Sequence, residues 1–240
     1  MGGGMTTFVL VHGAWHGGWC WGRVRRALQA QGHDVFTPTL TGVADRSHLL
    51  SRDIDLETHT NDVANLLAWE DLSDVVLCGH SYGGMVITGV ADWASERISA
   101  LVYLDAFVPR NGQSLHDLLP PESRAQQLTG AEGGGDGWRV PPIPAEVFNV
   151  NMADRAWVDQ QCTPQSLATF EQPARLTGRG DAIDNVSYIW ASDWQGSPFK
   201  QFYDEARRVG WKASEIACGH DVMLDRPDAL TQALLSAATA

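Results

Sequence analysis

The chain has 240 residues, of which 44% are hydrophobic and 19% are charged, so it is long and apolar enough for one globular domain with a small inserted subdomain. Acidic residues outnumber basic residues by 29 to 17, and the formal net charge is −12. Nucleic acids and anionic membrane surfaces are therefore poor partners, because both bind basic protein surfaces. We expect a neutral or apolar small molecule as the ligand.

The cysteines and the hydropathy pattern predict the compartment. The four cysteines form no C-x-x-C pair, which argues against a metal or redox motif and against disulfides. No apolar run reaches the roughly 18 residues that a membrane-spanning helix requires. These features predict a cytoplasmic protein that does not bind membranes. They leave its oligomeric state open, including a homodimer.

Strand-like and helix-like segments alternate along the chain. Short apolar runs predict strands at residues 6–11, 34–39, 74–79, 98–106, 186–192 and 211–218. Helical patterns follow most of them, at residues 19–30, 56–69, 82–93, 199–208 and 227–237. Asp55 is the expected N-cap of the second helix, and Asp225 that of the last. Since several strands are apolar throughout, the pattern predicts an α/β fold with a mostly parallel sheet covered by helices on both faces.

One segment interrupts this alternation. Residues 109–184 contain several prolines, a run of three glycines and four aromatic residues outside any clear strand pattern. A stretch of this length inside a compact domain is seldom a plain loop. We therefore expect a core of residues 5–108 and 185–240, with residues 109–184 as an inserted cap over the carboxyl ends of the strands.

The strongest chemical signal is Gly79-His80-Ser81-Tyr82-Gly83, which matches the pattern G-x-S-x-G. It ends one predicted strand and opens the next helix, which is the context that a nucleophile elbow requires. Such a turn raises the serine oxygen above the sheet, and small residues at both ends let chain segments pass closely. Ser81 is therefore the predicted nucleophile. The backbone N–H of Tyr82 should face negative charge that develops on a substrate.

A second glycine-containing loop, His12-Gly13-Ala14-Trp15, follows the first predicted strand. In enzymes with a nucleophile elbow, a backbone N–H of that loop supplies the other half of the oxyanion hole, and we assign it to Ala14. His12 and His16 lie in a glycine-rich loop without an evident third ligand, so no metal site is expected there. We expect His12 to brace the loop by hydrogen bonding.

The serine requires a base, because a free hydroxyl is a weak nucleophile at neutral pH. His220 is the predicted base, since it follows the last predicted strand, precedes the last helix and completes the chain order serine, acid, histidine. The side chain of His80 should diverge from its neighbour Ser81. The other histidines predicted to be surface or loop residues are His33, His48, His59 and His116.

Two aspartates compete for the acid of the triad. Asp193 follows the predicted strand at 186–192, a standard place for the acid, whereas Asp105 ends the strand that comes after the nucleophile strand. Either carboxylate would hold the histidine in the required tautomer and stabilise its protonated form. The residues alone leave both aspartates open.

The motifs together identify a family resemblance. The segments FVLVHGAWHGGWCW, HSYGGMV, LVYLDAFVP and GHDVMLDRP resemble the branch of α/β-hydrolases that contains plant methylesterases, plant hydroxynitrile lyases and bacterial carboxylesterases of the pyrethroid-hydrolysing type. The resemblance covers residues 6–108 and 186–235 and is weak in the cap. It implies the α/β-hydrolase fold, a serine triad, an oxyanion hole at Ala14 and Tyr82, a small-molecule ester substrate and no cofactor.

Departures from the family pattern guide two choices. Plant members carry the acid one residue beyond Asp193, where this chain has Trp194, while many bacterial members keep an aspartate at the position of Asp105. The resemblance therefore favours Asp105. Lyase members carry a threonine at the position of Gly13 and a lysine directly after the catalytic histidine, where this chain has Asp221. Because a cationic group would stabilise departing cyanide, the resemblance favours ester hydrolysis over lyase chemistry.

Two rival functions accompany the esterase prediction: a hydroxynitrile lyase and a non-catalytic small-molecule receptor on the same fold. The ten tryptophans favour a hydrophobic pocket, because several fall in or near loops and the cap. These are Trp15, Trp138, Trp157, Trp190 and Trp194. We expect an ester with a bulky hydrophobic acyl or alcohol group.

Overall fold

The structure, a computed structural model, describes residues 4–239 of the chain. The strands in this range are β1 (Thr7–Val11), β2 (Asp34–Phe36), β3 (Val75–His80), β4 (Ile98–Leu104), β5 (Arg139–Val140), β6 (Gln165–Ser166), β7 (Val186–Ala191) and β8 (Lys212–Ile216). β5 and β6 pair as a separate antiparallel ribbon, and the others form one parallel sheet in the order β2-β1-β3-β4-β7-β8. The predicted α/β fold with a parallel sheet is confirmed.

Helices flank this sheet. Their bounds are α1 (Gly22–Gln29), α2 (Leu56–Trp69), α3 (Gly83–Trp93), α4 (Leu115–Leu118), α5 (Pro121–Gly134), α6 (Arg155–Gln161), α7 (Ala168–Glu171), α8 (Lys200–Arg208), α9 (Val222–Asp225) and α10 (Pro227–Ala238). Helix α1 packs against α10, and α2 packs against α3. Within residues 4–239 no helix is long and apolar enough to cross a membrane.

The centre of the sheet is buried on both faces. Every residue of β3 is buried, which explains why its first four residues are all apolar and do not alternate with polar ones. The edge strand β8 carries the exposed residues Lys212 and Glu215, which discourage pairing with another chain. The carboxyl ends of β3, β4 and β7 therefore meet at the middle of one sheet edge, where the loops with the predicted chemistry emerge.

Several element boundaries and one helix cap differ from the prediction. β2 ends at Phe36, because the nearby Pro38 has no N–H to donate to a neighbouring strand. The segment expected as one helix at 19–30 is a 3₁₀ turn followed by α1. Asp55 caps α2 as predicted, but Asp225 does not cap α10, since it is the last residue of α9 and its carboxylate accepts from the Asn151 amide.

The segment between β4 and β7 contains α4 to α7 and the β5–β6 ribbon. Helix α7 contacts α4 inside this insertion and α2 outside it, so the insertion packs directly on the helices of the sheet. The predicted core boundary at residue 240 lies outside the described residues.

Candidate active site

Ser81 occupies the sharp turn between β3 and α3. Its φ of 54° lies in the left-handed region, where a non-glycine residue is strained. The Ser81 N–H donates to the Leu104 carbonyl at 3.2 Å, which ties the turn to the end of β4. A Cβ at Gly79 would lie 2.6 Å from the Gly83 carbonyl oxygen, and one at Gly83 would lie 2.8 Å from the His12 carbonyl oxygen. The motif therefore requires both glycines.

His220 and Asp105 form a buried pair. His220 Nδ1 donates to Asp105 Oδ2 across 2.6 Å, and the two side chains are 3% and 0% exposed. The other carboxylate oxygen of Asp105 accepts from the Ala191 N–H at 3.2 Å. Asp105 itself has a φ of 41°, so a second strained residue stands at this sheet edge. These contacts place the ring proton on Nδ1 and leave His220 Nε2 as an acceptor.

Asp193 does not reach the histidine. Its side chain is exposed, its N–H donates to the Cys218 carbonyl at 3.1 Å, and its carbonyl accepts from the Asn149 amide at 3.3 Å. Of the two aspartates that the sequence leaves open, Asp105 is the one in contact with His220.

Ser81 and His220 line the same cavity, which has a volume of about 310 Å³ and lies at the carboxyl end of the sheet. Within residues 4–239 no hydrogen bond joins the Ser81 hydroxyl to His220 Nε2. Such bonds are often long without substrate and shorten when substrate binds. The shared cavity is thus the feature that brings the predicted nucleophile and the predicted base together.

Two backbone amides beside Ser81 are available to an oxyanion. In the described range the N–H groups of Ala14 and Tyr82 donate to no acceptor, and both residues line the cavity. Tyr82 immediately precedes α3, so its N–H lies at the positive end of the helix dipole. The two amides have the position and the unused donors that an oxyanion hole requires.

The loop that carries Ala14 is fixed from two sides. The Ala14 carbonyl accepts from His16 Nδ1 at 2.8 Å, and the Trp15 N–H donates to Gln165 Oε1 at 2.9 Å. Gln165 belongs to β6, so the insertion holds this loop directly. Trp15 has a φ of 64°, which makes it the third strained non-glycine residue at the site.

Aromatic rings surround the base. Phe199 stacks on the His220 ring with centroids 5.0 Å apart, and the rings of Trp194 and Phe148 lie 4.7 and 5.2 Å away. The Phe148 carbonyl also accepts from the His220 N–H at 2.9 Å. Burial in these surroundings lowers the pKa of His220 to about 3. The imidazole is therefore neutral at pH 7, and its Nε2 can accept a proton.

Two further histidines support the loops. The His80 ring lies 4.4 Å from the His220 ring between centroids, and its Nε2 donates to the His220 carbonyl at 3.0 Å. Burial lowers the pKa of His80 well below its ordinary value, so this ring is neutral. His12 Nε2 accepts from the Leu40 N–H at 3.0 Å, and its Nδ1 donates to the Gly13 carbonyl at 2.8 Å. The predicted bracing role of His12 is confirmed.

A second buried pair lies next to the first. His16 Nε2 donates to Asp221 Oδ2 at 3.1 Å, and the side chains are 3% and 0% exposed. Burial lowers the pKa of His16, but the Asp221 carboxylate outweighs it and raises this pKa well above its ordinary value. Burial likewise opposes ionisation of Asp221, yet His16 lowers the pKa of this carboxyl below its ordinary value. Both His16 nitrogens face acceptors, so the ring is an imidazolium that links the Ala14 loop to the residue after His220.

The cavity wall is rich in aromatic side chains, with polar residues on α5 beside them. The aromatic residues are Trp15, Tyr82, Phe107, Phe148, Phe170, Trp194 and Phe199. Of the five tryptophans expected at the pocket, only Trp15 and Trp194 line it among the described residues, while Trp138, Trp157 and Trp190 lie elsewhere. No group of histidine, cysteine or acidic side chains within residues 4–239 could hold a metal ion.

Comparison with known proteins identifies the family. The sequence matches the family model described as "Alpha/beta hydrolase family" over residues 8–233. The chain belongs to the α/β-hydrolase family. A relative from Nocardioides sp. (strain SG-4G), named "Carbendazim hydrolyzing esterase", is 50% identical over 240 residues, which cover 96% of this chain and 98% of that protein.

Other α/β-hydrolases match in sequence or in structure. Methylesterase 1 of Arabidopsis thaliana is 36% identical over 159 residues, which cover 65% of this chain and 51% of that protein. The crystal structure of a pyrethroid hydrolase from Sphingobium faniae JZ-2 superposes with a TM-score of 0.77 at 25% identity and covers 99% of this chain and 98% of that one. The resemblance to methylesterases and pyrethroid hydrolases is confirmed.

The sequence prediction was wrong about two histidines. His59 is buried on α2, where its Nδ1 lies 2.9 Å from the Tyr82 hydroxyl, and His116 is buried on α4. His59 lies three residues after Leu56 and four before Val63, on the apolar stripe of α2, so helical spacing could have revealed its burial. His116 lies in a helix too short for such a stripe.

Proposed function

We propose that this α/β-hydrolase is a serine carboxylesterase that works through an acyl-enzyme on Ser81. The observation that carries the proposal is the 2.6 Å bond between His220 Nδ1 and Asp105 Oδ2, in a histidine that shares a cavity with Ser81. The relative named as an esterase, which spans almost the whole chain, supports the same class of reaction.

The proposed reaction has two half-reactions. Ser81 attacks the ester carbonyl while His220 Nε2 accepts the hydroxyl proton, and Asp105 stabilises the imidazolium that forms. The N–H groups of Ala14 and Tyr82 donate to the oxyanion of the tetrahedral intermediate. His220 then protonates the departing alcohol, which leaves the acyl group on Ser81. Water attacks this acyl-enzyme by the same steps in reverse and releases the acid.

We propose that residues 109–184 form the cap that selects the substrate. Phe148 and Phe170 of this segment face the cavity together with Trp15, Trp194 and Phe199. Aromatic walls favour flat or bulky hydrophobic groups. Carbendazim, which the name of the Nocardioides relative gives as its substrate, is therefore a reasonable first compound for a substrate screen.

Lyase chemistry fits this site less well. A Cβ at Gly13 would lie 2.9 Å from the Ser81 Cβ, so the threonine of lyase members has no space here. Asp221 occupies the place of the lyase lysine, and it is committed to the ion pair with His16. No cationic side chain at this position could stabilise a departing cyanide ion.

We also propose a cytoplasmic location. All four cysteines are free thiols, as expected of a protein that folds in a reducing compartment.

The Ser81→Ala variant tests the proposed function. Loss of the nucleophile should abolish turnover of p-nitrophenyl acetate and labelling by a fluorophosphonate probe, while the far-ultraviolet circular dichroism spectrum stays unchanged. The matched control is Ser236→Ala, which removes an exposed hydroxyl on α10 and should leave both readouts at the wild-type level. Wild-type turnover in a folded Ser81→Ala variant would overturn the assignment and favour a receptor or another mechanism.

A further inference from the structure

The cavity contains one buried amide that the proposed mechanism does not use. Gln127 lies on α5, is 8% exposed and lines the cavity that also holds Ser81. Its partner is His116 on α4, which is 4% exposed, and the Gln127 Oε1 lies 2.9 Å from His116 Nε2. A buried amide has four hydrogen-bonding sites, so a single partner leaves most of them unused.

The protonation of His116 fixes the orientation of this amide. Burial lowers the pKa of His116, so its ring is neutral at pH 7 and carries one proton. His116 Nδ1 is buried and has no partner in the described range. A proton on Nδ1 would leave a buried N–H without an acceptor, which is more costly than an unused lone pair. The proton therefore resides on Nε2 and is donated to Gln127 Oε1.

This orientation directs the Gln127 NH₂ group away from His116. Within residues 4–239 Gln127 Nε2 donates to no acceptor, although the residue is nine-tenths buried and lies at the cavity wall. The polar residues Glu122, Ser123, Gln126 and Gln195 also line the cavity, but within residues 4–239 none of them bonds to this NH₂ group, so water is its remaining partner. A ligand that fills the cavity without an acceptor would strand these two N–H donors.

We propose that Gln127 is a specificity-determining residue that donates to a second acceptor of the substrate, on the aromatic group rather than on the ester carbonyl. The preferred substrates are then aromatic esters whose ring carries an accepting nitrogen or oxygen atom. All-carbon aromatic esters of the same shape are poorer substrates. This inference rests on the proposed ester hydrolysis, because the ester carbonyl oxygen must accept from the N–H groups of Ala14 and Tyr82, which leaves Gln127 for a different acceptor.

Matched ester pairs test the inference on both sides of the scissile bond. On the alcohol side, 6-acetoxyquinoline is compared with 2-naphthyl acetate, and on the acyl side methyl isonicotinate is compared with methyl benzoate. In each pair one ring C–H is replaced by nitrogen with little change of shape. The readout is kcat/KM for the nitrogen-containing ester divided by kcat/KM for its all-carbon partner. Dividing this ratio for the wild type by the same ratio for a variant cancels the intrinsic reactivity of the esters.

Two variants of Gln127 make the test independent of folding. Gln127→Leu removes the donor and should reduce the preference for the nitrogen-containing ester of at least one pair about 3- to 10-fold, the worth of one neutral hydrogen bond. Gln127→Glu keeps an acceptor for His116 but presents a carboxylate to the ring nitrogen, so it should lower the same ratio at least as far. The control is Thr129→Val, which removes an exposed hydroxyl on the same helix α5, away from the cavity wall, and should keep the wild-type ratios.

The outcomes separate this inference from the proposed function. If both pairs are hydrolysed in a Ser81-dependent manner and the wild-type ratios persist in both Gln127 variants, the specificity role is wrong and the esterase stands. If no ester is hydrolysed by the folded wild-type protein, the proposed function itself fails. A ratio that falls equally in Thr129→Val would also overturn the role of Gln127, because a general change of the helix would then explain the effect.

Discussion

Two buried histidine–aspartate pairs lie side by side in this protein, because His220 and Asp221 are consecutive residues. In the first pair, His220 contacts Asp105 and is surrounded by three aromatic rings. In the second, His16 contacts Asp221 and has an acceptor at each ring nitrogen. The same two residue types thus give a neutral base in one place and a fixed ion pair in the other. What surrounds the imidazole decides whether it can exchange a proton.

The largest effect, a loss of catalytic rate, is expected when the first pair is broken. An amide at position 105 can donate to His220 Nδ1, which favours the wrong tautomer of the ring, so Asp105→Asn should lower kcat for p-nitrophenyl acetate by about 10⁴-fold. The measurement is steady-state hydrolysis with a matched Asp193→Asn control, which should match the wild type because Asp193 is exposed and its carboxylate makes no hydrogen bond to His220. Equal losses in both variants would contradict the assignment of Asp105.

The next largest effect is expected when the second pair is broken, and it is a loss of folding stability. Asp221→Asn leaves the His16 imidazolium buried without its counter-ion, so the free energy of unfolding should fall by about 3 kcal/mol or more. Urea denaturation measures this change. The double variant His16→Gln/Asp221→Asn removes both charges and should lose less than the sum of the two single variants. Strict additivity would mean that the two side chains do not interact.

The smallest effect is the pH dependence of that stabilisation. The folded-state pKa of His16 is raised above 6.5, so its contribution is complete below about pH 6.5 and is lost as the pH rises towards the folded value. The folded-state pKa of Asp221 is lowered below 3.8, so its contribution is present above about pH 4 and is lost as the pH falls towards the folded value. The wild type should therefore exceed the double variant most between about pH 4 and 6.5.

Urea denaturation at pH 5.5, 7.5 and 9 tests whether the stabilisation by this pair falls or rises with pH. The difference in unfolding free energy between the wild type and the His16→Gln/Asp221→Asn variant should shrink as the pH rises. A difference that grows with pH would mean that His16 is neutral in the folded protein.

The sheet and the nucleophile turn were predictable because both depend on local sequence. A short apolar run that ends at a glycine favours a strand buried on both faces, as in β3, and the glycines at 79 and 83 are required by contacts under 3 Å. The helix cap at Asp55 is local in the same sense. Asp225 shows the limit, since its carboxylate accepts from Asn151, 74 positions away, and does not cap α10.

The choice of the acid was not predictable from local sequence. Asp105 and Asp193 both follow apolar strands, and only the fold decides which carboxylate meets the ring. Asp105 turns into a left-handed conformation that directs it to His220, whereas Asp193 uses its backbone to bind Cys218 and stays exposed. The pairing of His16 with Asp221 joins residues 205 positions apart, and a contact over this sequence distance cannot be predicted from the spacing of residues along the chain.

The insertion accepts hydrogen bonds from the backbone of both the Ala14 loop and the His220 loop. Gln165 holds the Trp15 N–H, and the Phe148 carbonyl holds the His220 N–H at 2.9 Å. A rigid-body movement of the insertion away from the sheet would break both hydrogen bonds at once. A chimera that carries the insertion of another hydrolase must therefore reproduce both hydrogen bonds. Without them the new insertion would change the substrate pocket but leave the two catalytic loops unsupported and the enzyme inactive.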